Sequence, residues 1–168
     1  MKFLVAVGLA LLLLTVESVV VQQLGLAISR IDVTVVLVAF LAVRANTLEG
    51  AFSAFSVGYL LDLMSGQPTG LFTFLGVFTF LVGKLVVSLT DVRSRAAFVL
   101  FAMGADAGHG VLASFFTWLT TKDGAAWSLL PALPLQVTLT GVAAAFLYPL
   151  LRRFEAAQDR SSSTGLLR

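Results

Sequence analysis

Ionisable side chains interrupt several apolar stretches of this sequence, namely Glu17, Asp62, Lys84, Asp106 and His109. Titratable groups at membrane depth are costly, and they commonly mark a proton path, an ion site or a buried polar contact. Lys84 lies near the end of its stretch, where its long side chain can reach water, which favours a structural role. Glu17 and Asp62 also lie near the ends of their stretches. Asp106 and His109 are therefore the deepest candidates for chemistry.

Asp106 and His109 are spaced i, i+3, which places them on one side of a helix. Gly104 and Gly108 on the same helix predict a close-packing surface. A proton or ion relay needs several acids at similar depth, so the pattern favours a mutually hydrogen-bonded pair buried between helices. One Asp and one His are too few ligands for a typical zinc site. The chain has no cysteine, which excludes thiolate ligands. No metal and no cofactor are expected.

A glycine-rich turn follows Asp62 and carries Ser65, Gly66 and Gly70. Gly58 and Asp62 are one helical turn apart on one face, and an acid near a helix C-terminus opposes the helix dipole. The next helix begins directly after the turn, and its first N–H groups have no partners within the helix. We therefore hypothesise that Asp62 accepts hydrogen bonds from those N–H groups and clamps the turn. Upstream, the stripe of Gly50, Ala54 and Gly58 predicts close helix packing.

Composition indicates what surrounds these residues. Hydrophobic residues make up 58% of the chain and charged residues 12%, against about 25% charged residues in soluble domains. A spanning helix needs about 20 apolar residues. The sequence therefore predicts an all-α integral membrane protein, a bundle of about six transmembrane helices in one domain, residues 1–154. The predicted spans are residues 3–21, 31–43, 50–64, 70–90, 96–120 and 131–151.

Some boundaries have alternatives. The segment 3–21 has the apolar run of a secretory signal, but no cleavage site with a polar start follows it, so a retained helix is favoured. The short segments 31–43 and 50–64 are compatible with one re-entrant hairpin instead of two spans. Residues 155–168 are polar and are predicted to form a disordered tail.

Basic residues orient the predicted bundle. With both termini on the cytoplasmic side, all of the 11 lysines and arginines lie on that side except Arg30 and Lys122. Such an excess is typical of the cytoplasmic face of membrane proteins. The formal net charge of +2 is too small to indicate nucleic acid as a partner. All predicted connections are short, so the function is expected within or at the lipid bilayer.

The turn region resembles the signature of the MreD family, small multi-pass rod-shape-determining proteins of bacteria. The pattern is a glycine, an aspartate four residues later, Ser-Gly, and a Gly-Leu that opens the next helix. Here these positions are Gly58, Asp62, Ser65 with Gly66, and Gly70 with Leu71. The specific motif covers about residues 50–83, while length, number of spans and hydropathy are similar over nearly the whole chain.

The resemblance implies a non-enzymatic membrane component of the cell-elongation machinery, in the bacterial inner (cytoplasmic) membrane. Such a protein binds MreC, a single-span periplasmic protein, and helps to organise lateral peptidoglycan synthesis. Further implied partners are MreB filaments on the cytoplasmic side, the polymerase RodA and a class B penicillin-binding protein. No catalytic residues are expected.

Two other functions are compatible with parts of the sequence. A substrate-binding subunit of an energy-coupling-factor vitamin transporter also has six helices, and it needs an outward pocket with convergent polar groups. The candidates for that pocket are Glu17, Gln22, Gln23, Asp62, Gln67 and Trp127. An intramembrane hydrolase would use Ser56 or Ser114 with His109, but no Gly-x-Ser-x-Gly motif frames either serine.

Overall fold

The computed structural model describes residues 8, 11, 12, 15, 32–65, 70–92, 94–121 and 131–164. This part of the chain is helical and contains no strand. Most of the first predicted span, with Glu17, and Gly66 of the turn lie outside the described residues. The long helices are α1 Val33–Arg44, α2 Thr47–Ser65, α3 Leu71–Leu89, α4 Arg95–Thr121 and α5 Leu133–Thr164.

Helix α1 forms the centre of the bundle and contacts α2, α3, α4 and α5. Its residues from Thr34 to Phe40 are all buried, as expected for a helix that is apolar on every side. Asp32 caps its N-terminus by accepting a hydrogen bond from the Val35 N–H, 3.0 Å. At the other end, the Lys84 ammonium donates to the Ala45 carbonyl, 2.5 Å. A cation at a helix C-terminus complements the helix dipole.

An aromatic chain joins the centre of the bundle to α4 and α5. The rings of Phe40 and Phe98 meet edge to face with centroids 6.1 Å apart, and Phe98 lies 4.9 Å from Tyr148. Such aromatic pairs contribute about 0.5–1.5 kcal/mol beyond the area that they bury. Together they hold α1, α4 and α5 in one core.

Helices α2 and α3 approach closely because small residues line their contact. A Cβ atom placed on Gly58 would lie 2.5 Å from the Phe72 carbonyl oxygen and 2.7 Å from the Thr73 Cα. One on Gly76 would lie 3.1 Å from the Ala54 carbonyl oxygen, and one on Gly50 would meet the buried Phe80 ring. The stripe of Gly50, Ala54 and Gly58 thus lies at the α2–α3 interface.

Among the described residues, three helices are long and apolar enough to cross a membrane: Leu71–Leu89, Arg95–Leu119 and Leu133–Ala156. Helix α1 has 12 residues, or about 18 Å at 1.5 Å per residue, which is shorter than a hydrocarbon core of about 30 Å. Large apolar side chains such as Leu85, Leu100 and Phe146 are exposed on the outside of the bundle. An outer surface of this kind is compatible with a membrane protein.

Helix α5 continues to Thr164, into the segment for which the sequence predicts a disordered tail. The span that precedes this segment already supplies the helical nucleus, so each further residue adds a hydrogen bond at little cost. Alanine, glutamate, glutamine and arginine are also good helix formers, and they supply five of the ten residues from 155 to 164. Residues 165–168 lie outside the described part of the chain.

Helix α5 also contains Pro149. Proline has no N–H, so the carbonyl four residues earlier loses its helical donor. That carbonyl belongs to Ala145, and the Arg95 guanidinium donates to it through Nε at 3.1 Å and Nη2 at 2.7 Å. Arg95, the first residue of α4, thereby supplies donors to the α5 carbonyl that Pro149 leaves without a helical partner.

Candidate functional site

The carboxylate of Asp62 joins the end of α2 to the start of α3. Oδ1 accepts a hydrogen bond from the Phe72 N–H at 2.9 Å, and Oδ2 accepts from the Thr73 N–H at 2.8 Å. The Thr73 hydroxyl also donates to Oδ2, at 2.5 Å. These are the backbone contacts that the clamp hypothesis requires. Hydrogen bonds to a charged acceptor are among the strong ones, at about 1.5–3 kcal/mol each.

Two glycines make this arrangement possible. Gly70 precedes α3 with φ +103°, a left-handed conformation that glycine adopts without steric cost. Gly70 has no side chain to cap the helix, so Asp62 supplies from α2 the hydrogen bonds that a local capping residue normally provides. Gly58, one turn before Asp62, lets the Thr73 backbone come near. Ser65 ends α2.

Asp106 is completely buried on α4, at 0% exposure. Its Oδ1 accepts a hydrogen bond from the Gln136 amide of α5, 3.1 Å. Its Oδ2 has no partner among the described residues. Thr140, one turn after Gln136, accepts a hydrogen bond from the Asp32 N–H at 3.3 Å. A polar seam therefore connects α4 and α5 to the start of α1.

His109 is also buried, at 6% exposure, but it contacts α3 instead of α5. Its Nδ1 lies 3.1 Å from the Thr79 hydroxyl, and its Nε2 has no hydrogen-bond partner in the described part of the chain. The predicted mutual pairing of Asp106 and His109 is therefore wrong. An i, i+3 spacing leaves the two side chains about 60° apart around the helix axis, and this angle directs them to different neighbours.

Gly104 and Gly108 do not form the predicted close contact within the described chain, because a Cβ atom added at either would meet nothing within 4 Å. They lie on the floor of a groove of about 400 Å³ between α3 and α4. We name it the α3–α4 groove. Its other lining residues include Phe78, Thr79, Val82, Leu100, Ala105 and His109.

A second, more polar cleft opens where α1 and α3 end. It encloses about 760 Å³, and Arg44, Asp91 and Arg152 line it together with the end of α3. Arg44 lies 3.7 Å from the Glu155 carboxylate of α5. The arrangement brings cationic side chains from separate helices to one end of the bundle.

The two serines considered as nucleophiles of a hydrolase, Ser56 and Ser114, donate hydrogen bonds to their own helices. Ser56 donates to the Phe52 carbonyl at 2.9 Å, and Ser114 donates to the Gly110 carbonyl at 2.8 Å. Such bonds to the preceding turn are common for serine in helices. The partner of His109 is Thr79, so the structure does not bring either serine and the histidine together as a nucleophile and base.

Of the residues considered for a vitamin-transporter pocket, the structure describes Asp62. Asp62 is engaged with the start of α3. The remaining pocket candidates lie outside the described residues, namely Glu17, Gln22, Gln23, Gln67 and Trp127.

Sequence reasoning missed Thr79, Gln136 and the Arg95–Ala145 contact. Pro149 was a usable signal for the last of these, since it predicts an unpaired carbonyl at position 145. Thr79 and Gln136 lie in apolar helices at the depth of His109 and Asp106, but no local pattern links them. In sum, several described polar side chains join one helix to another, whereas the hydroxyls of Ser53, Ser56 and Ser114 bond to their own helices. Comparison with protein-family models, with curated proteins and with solved structures finds no match to this chain.

Proposed function

We propose that this chain is a non-enzymatic component of the bacterial cell-elongation machinery, similar to MreD. In this proposal it crosses the inner membrane about six times, with both termini in the cytoplasm. It binds an MreC-like single-span periplasmic protein and helps to organise lateral peptidoglycan synthesis. MreB filaments, RodA and a class B penicillin-binding protein are the further partners.

The observation that carries the proposal is the arrangement of the residues that resemble the family. Gly58, Asp62 and Gly70 act on one structural unit, the α2–α3 hairpin. Gly58 allows the close approach, Asp62 caps α3, and Gly70 supplies the left-handed turn. A motif with this role positions helices and their outer surfaces. That role suits a protein that works by binding other membrane proteins.

The distribution of cations supports the proposed orientation. Arg44 ends α1, Arg95 begins α4, and Arg152 lies in the second half of α5. Arg44 and Arg152 line the same polar cleft. Basic residues from helices of alternating direction thus gather at one end of the bundle, as the cytoplasmic end of a membrane protein requires.

The direct test of binding is co-purification from detergent-solubilised membranes of the bacterium that carries the gene. A tagged chain is expected to retain an MreC-like protein of one span. A variant that loses the clamp, Asp62→Asn, is expected to retain less of it, because the α2–α3 hairpin is loosened. Glu49→Gln removes a charge from an exposed site on the same helix and serves as the matched control. Recovery of the wild-type chain without any such partner would contradict the proposal.

A further inference from the structure

Four polar residues lie together in the interior of the bundle, where α1 begins beside α4 and α5. The N–H of Asp32, which caps α1, donates to the Thr140 hydroxyl of α5 at 3.3 Å. Asp106 of α4 accepts a hydrogen bond from the Gln136 amide, also on α5, at 3.1 Å. Asp106 and Thr140 are both 0% exposed. We name Asp32, Asp106, Gln136 and Thr140 the central polar cluster.

The central polar cluster lies near the middle of the apolar helices. At 1.5 Å per residue, Asp106 is about 17 Å from Arg95 at the start of α4, and Thr140 is about 18 Å from Arg152 along α5. Both helices are long and apolar enough to cross a membrane. The midpoint of a hydrocarbon core of about 30 Å is about 15 Å from either edge. A charge at this depth is costly unless another group compensates it.

The Asp106 carboxyl has little around it to compensate a negative charge. Gln136 binds Oδ1 as an uncharged donor, whereas Oδ2 has no hydrogen-bond partner among the described residues. In the same part of the chain, no lysine or arginine forms an ion pair with this carboxyl. Oδ2 is also enclosed by protein, which leaves no room beside it for water, a metal ion or a larger ligand.

The titratable neighbours of Asp106 do not supply a positive charge to it. Asp32 lies close enough for its own negative charge to act on Asp106, and two like charges in an apolar surrounding destabilise each other. His109 follows on the same helix, but its Nδ1 contacts Thr79 of α3 and its Nε2 has no partner among the described residues. Thr79 and the α5 members of the cluster are uncharged.

A proton fits this site, because it needs no space beyond that of the oxygen that binds it. On Oδ2 it neutralises the carboxyl and converts an unpaired acceptor into a donor. The Thr140 hydroxyl lies near the carboxyl, and a hydroxyl oxygen has two lone pairs, so it can accept a hydrogen bond from this donor as well as from Asp32.

We propose that the central polar cluster is a proton-binding site within the membrane, with the proton on Asp106 Oδ2. The bound proton stabilises the contact of α4 with α5 and with the start of α1. Its release leaves a negative charge on an enclosed oxygen without a partner, and this charge loosens the contact. The inference goes beyond the proposed function and does not depend on the identity of any partner.

Asp62 supplies the matched comparison, because it has the surroundings that a carboxylate requires. Its two oxygens accept hydrogen bonds from two backbone N–H groups and one hydroxyl, whereas Asp106 accepts one from an amide. Asparagine has the shape of a neutral aspartic acid and no charge. Asp106→Asn is therefore expected to fold normally, while the same substitution at Asp62 is expected to lower the melting temperature.

Thermal unfolding of the purified full chain in detergent, over a series of pH values, measures the coupling of the proton to folding. The unfolded chain releases the Asp106 proton more readily than the folded chain, so stability falls as the pH is raised. The melting temperatures of the wild type and Asp106→Asn are expected to agree at the acidic end. The wild type is expected to melt increasingly below Asp106→Asn toward the alkaline end. Glu49→Gln, at an exposed site, is expected to follow the wild type.

Infrared spectroscopy detects the proton itself, because a protonated carboxyl has a carbonyl stretching band separate from the bands of a carboxylate. The folded wild type is expected to show this band at a pH where exposed acids are ionised. The band is expected to remain in Glu49→Gln and to disappear in Asp106→Asn. In heavy water the band of an enclosed carboxyl is expected to shift slowly, which gives a reading from the wild type alone.

Three results would overturn this site. The first is a wild-type pH profile parallel to that of Asp106→Asn. The second is a wild type that shows no slowly exchanging carboxyl band at any pH at which the chain stays folded. The third is an Asp106→Asn chain that does not fold, since a neutral side chain of the same shape would then fail where the proposal expects it to suffice. None of these results bears on the proposed function, which co-purification of the partner tests separately.

Discussion

At the scale of single residues, several polar side chains of this bundle bond to a neighbouring helix. Asp62 of α2 caps α3, His109 of α4 contacts α3, and Lys84 of α3 caps α1. The acceptor role of Asp62 could be predicted, because a carboxylate at a helix end faces the free N–H groups of the helix that follows. The partners of Asp106 and His109 could not, since spacing along one helix does not specify which helix lies opposite.

The charge of Asp62 is expected to be essential for the stability of the hairpin. Asp62→Asn keeps the shape of the side chain but replaces one accepting oxygen with a donor that faces other donors. The free energy of unfolding is expected to fall by about 1–3 kcal/mol. Thermal unfolding in detergent measures the change, with Glu49→Gln as a control of equal charge change. Equal melting temperatures for Asp62→Asn and the wild type would contradict the clamp.

At the scale of helices, glycines with the same spacing have opposite roles. Gly58 lies under the α3 backbone, whereas Gly104 and Gly108 lie on an open groove. Both pairs fit a small-x-x-x-small pattern in the sequence, which shows where a close approach is possible but not whether this chain makes it. Among the described helices, α5 extends beyond its apolar stretch into the polar segment after residue 154.

Substitution by alanine is expected to lower the stability of the protein at Gly58 and to raise it at Gly104. Gly58→Ala places a methyl group against the Phe72 carbonyl and the Thr73 Cα, and overpacking of this kind costs about 1–3 kcal/mol. Gly104→Ala meets no neighbour and is expected to stabilise the helix by up to about 1 kcal/mol. Melting temperatures of the two variants give the comparison. A loss of stability with Gly104→Ala equal to that with Gly58→Ala would show that the two sites are packed alike.

A double-mutant cycle can measure whether the Arg95–Ala145 contact between α4 and α5 compensates for Pro149. Arg95→Gln is expected to cost about 1 kcal/mol, because the Ala145 carbonyl loses charged donors. In a Pro149→Ala background the restored N–H supplies that carbonyl, so the same change is expected to cost less. The coupling is read from unfolding free energies of the four proteins. Equal costs in both backgrounds would mean that Arg95 does not compensate for the proline.

At the scale of the whole molecule, a short central helix is surrounded by longer ones whose outer surfaces are apolar. Composition alone predicts the all-helical architecture, since few charges and long apolar stretches leave little choice. The central position of α1 was not predicted, because the length and apolar character of a segment do not specify which helices surround it. Large apolar side chains cover the outside of the described bundle, and they are the surface that the proposed partners would contact.

The most direct measurement of the central claim is cell shape after depletion of this chain in the organism that carries its gene. Cells are expected to become round as the protein is lost, and expression of the wild-type chain is expected to restore rods. The hairpin variant Gly58→Ala is expected to restore them poorly, whereas the control Glu49→Gln, at an exposed site on the same helix, is expected to restore them fully. Cells that remain rod-shaped and elongate normally without the protein would contradict the account.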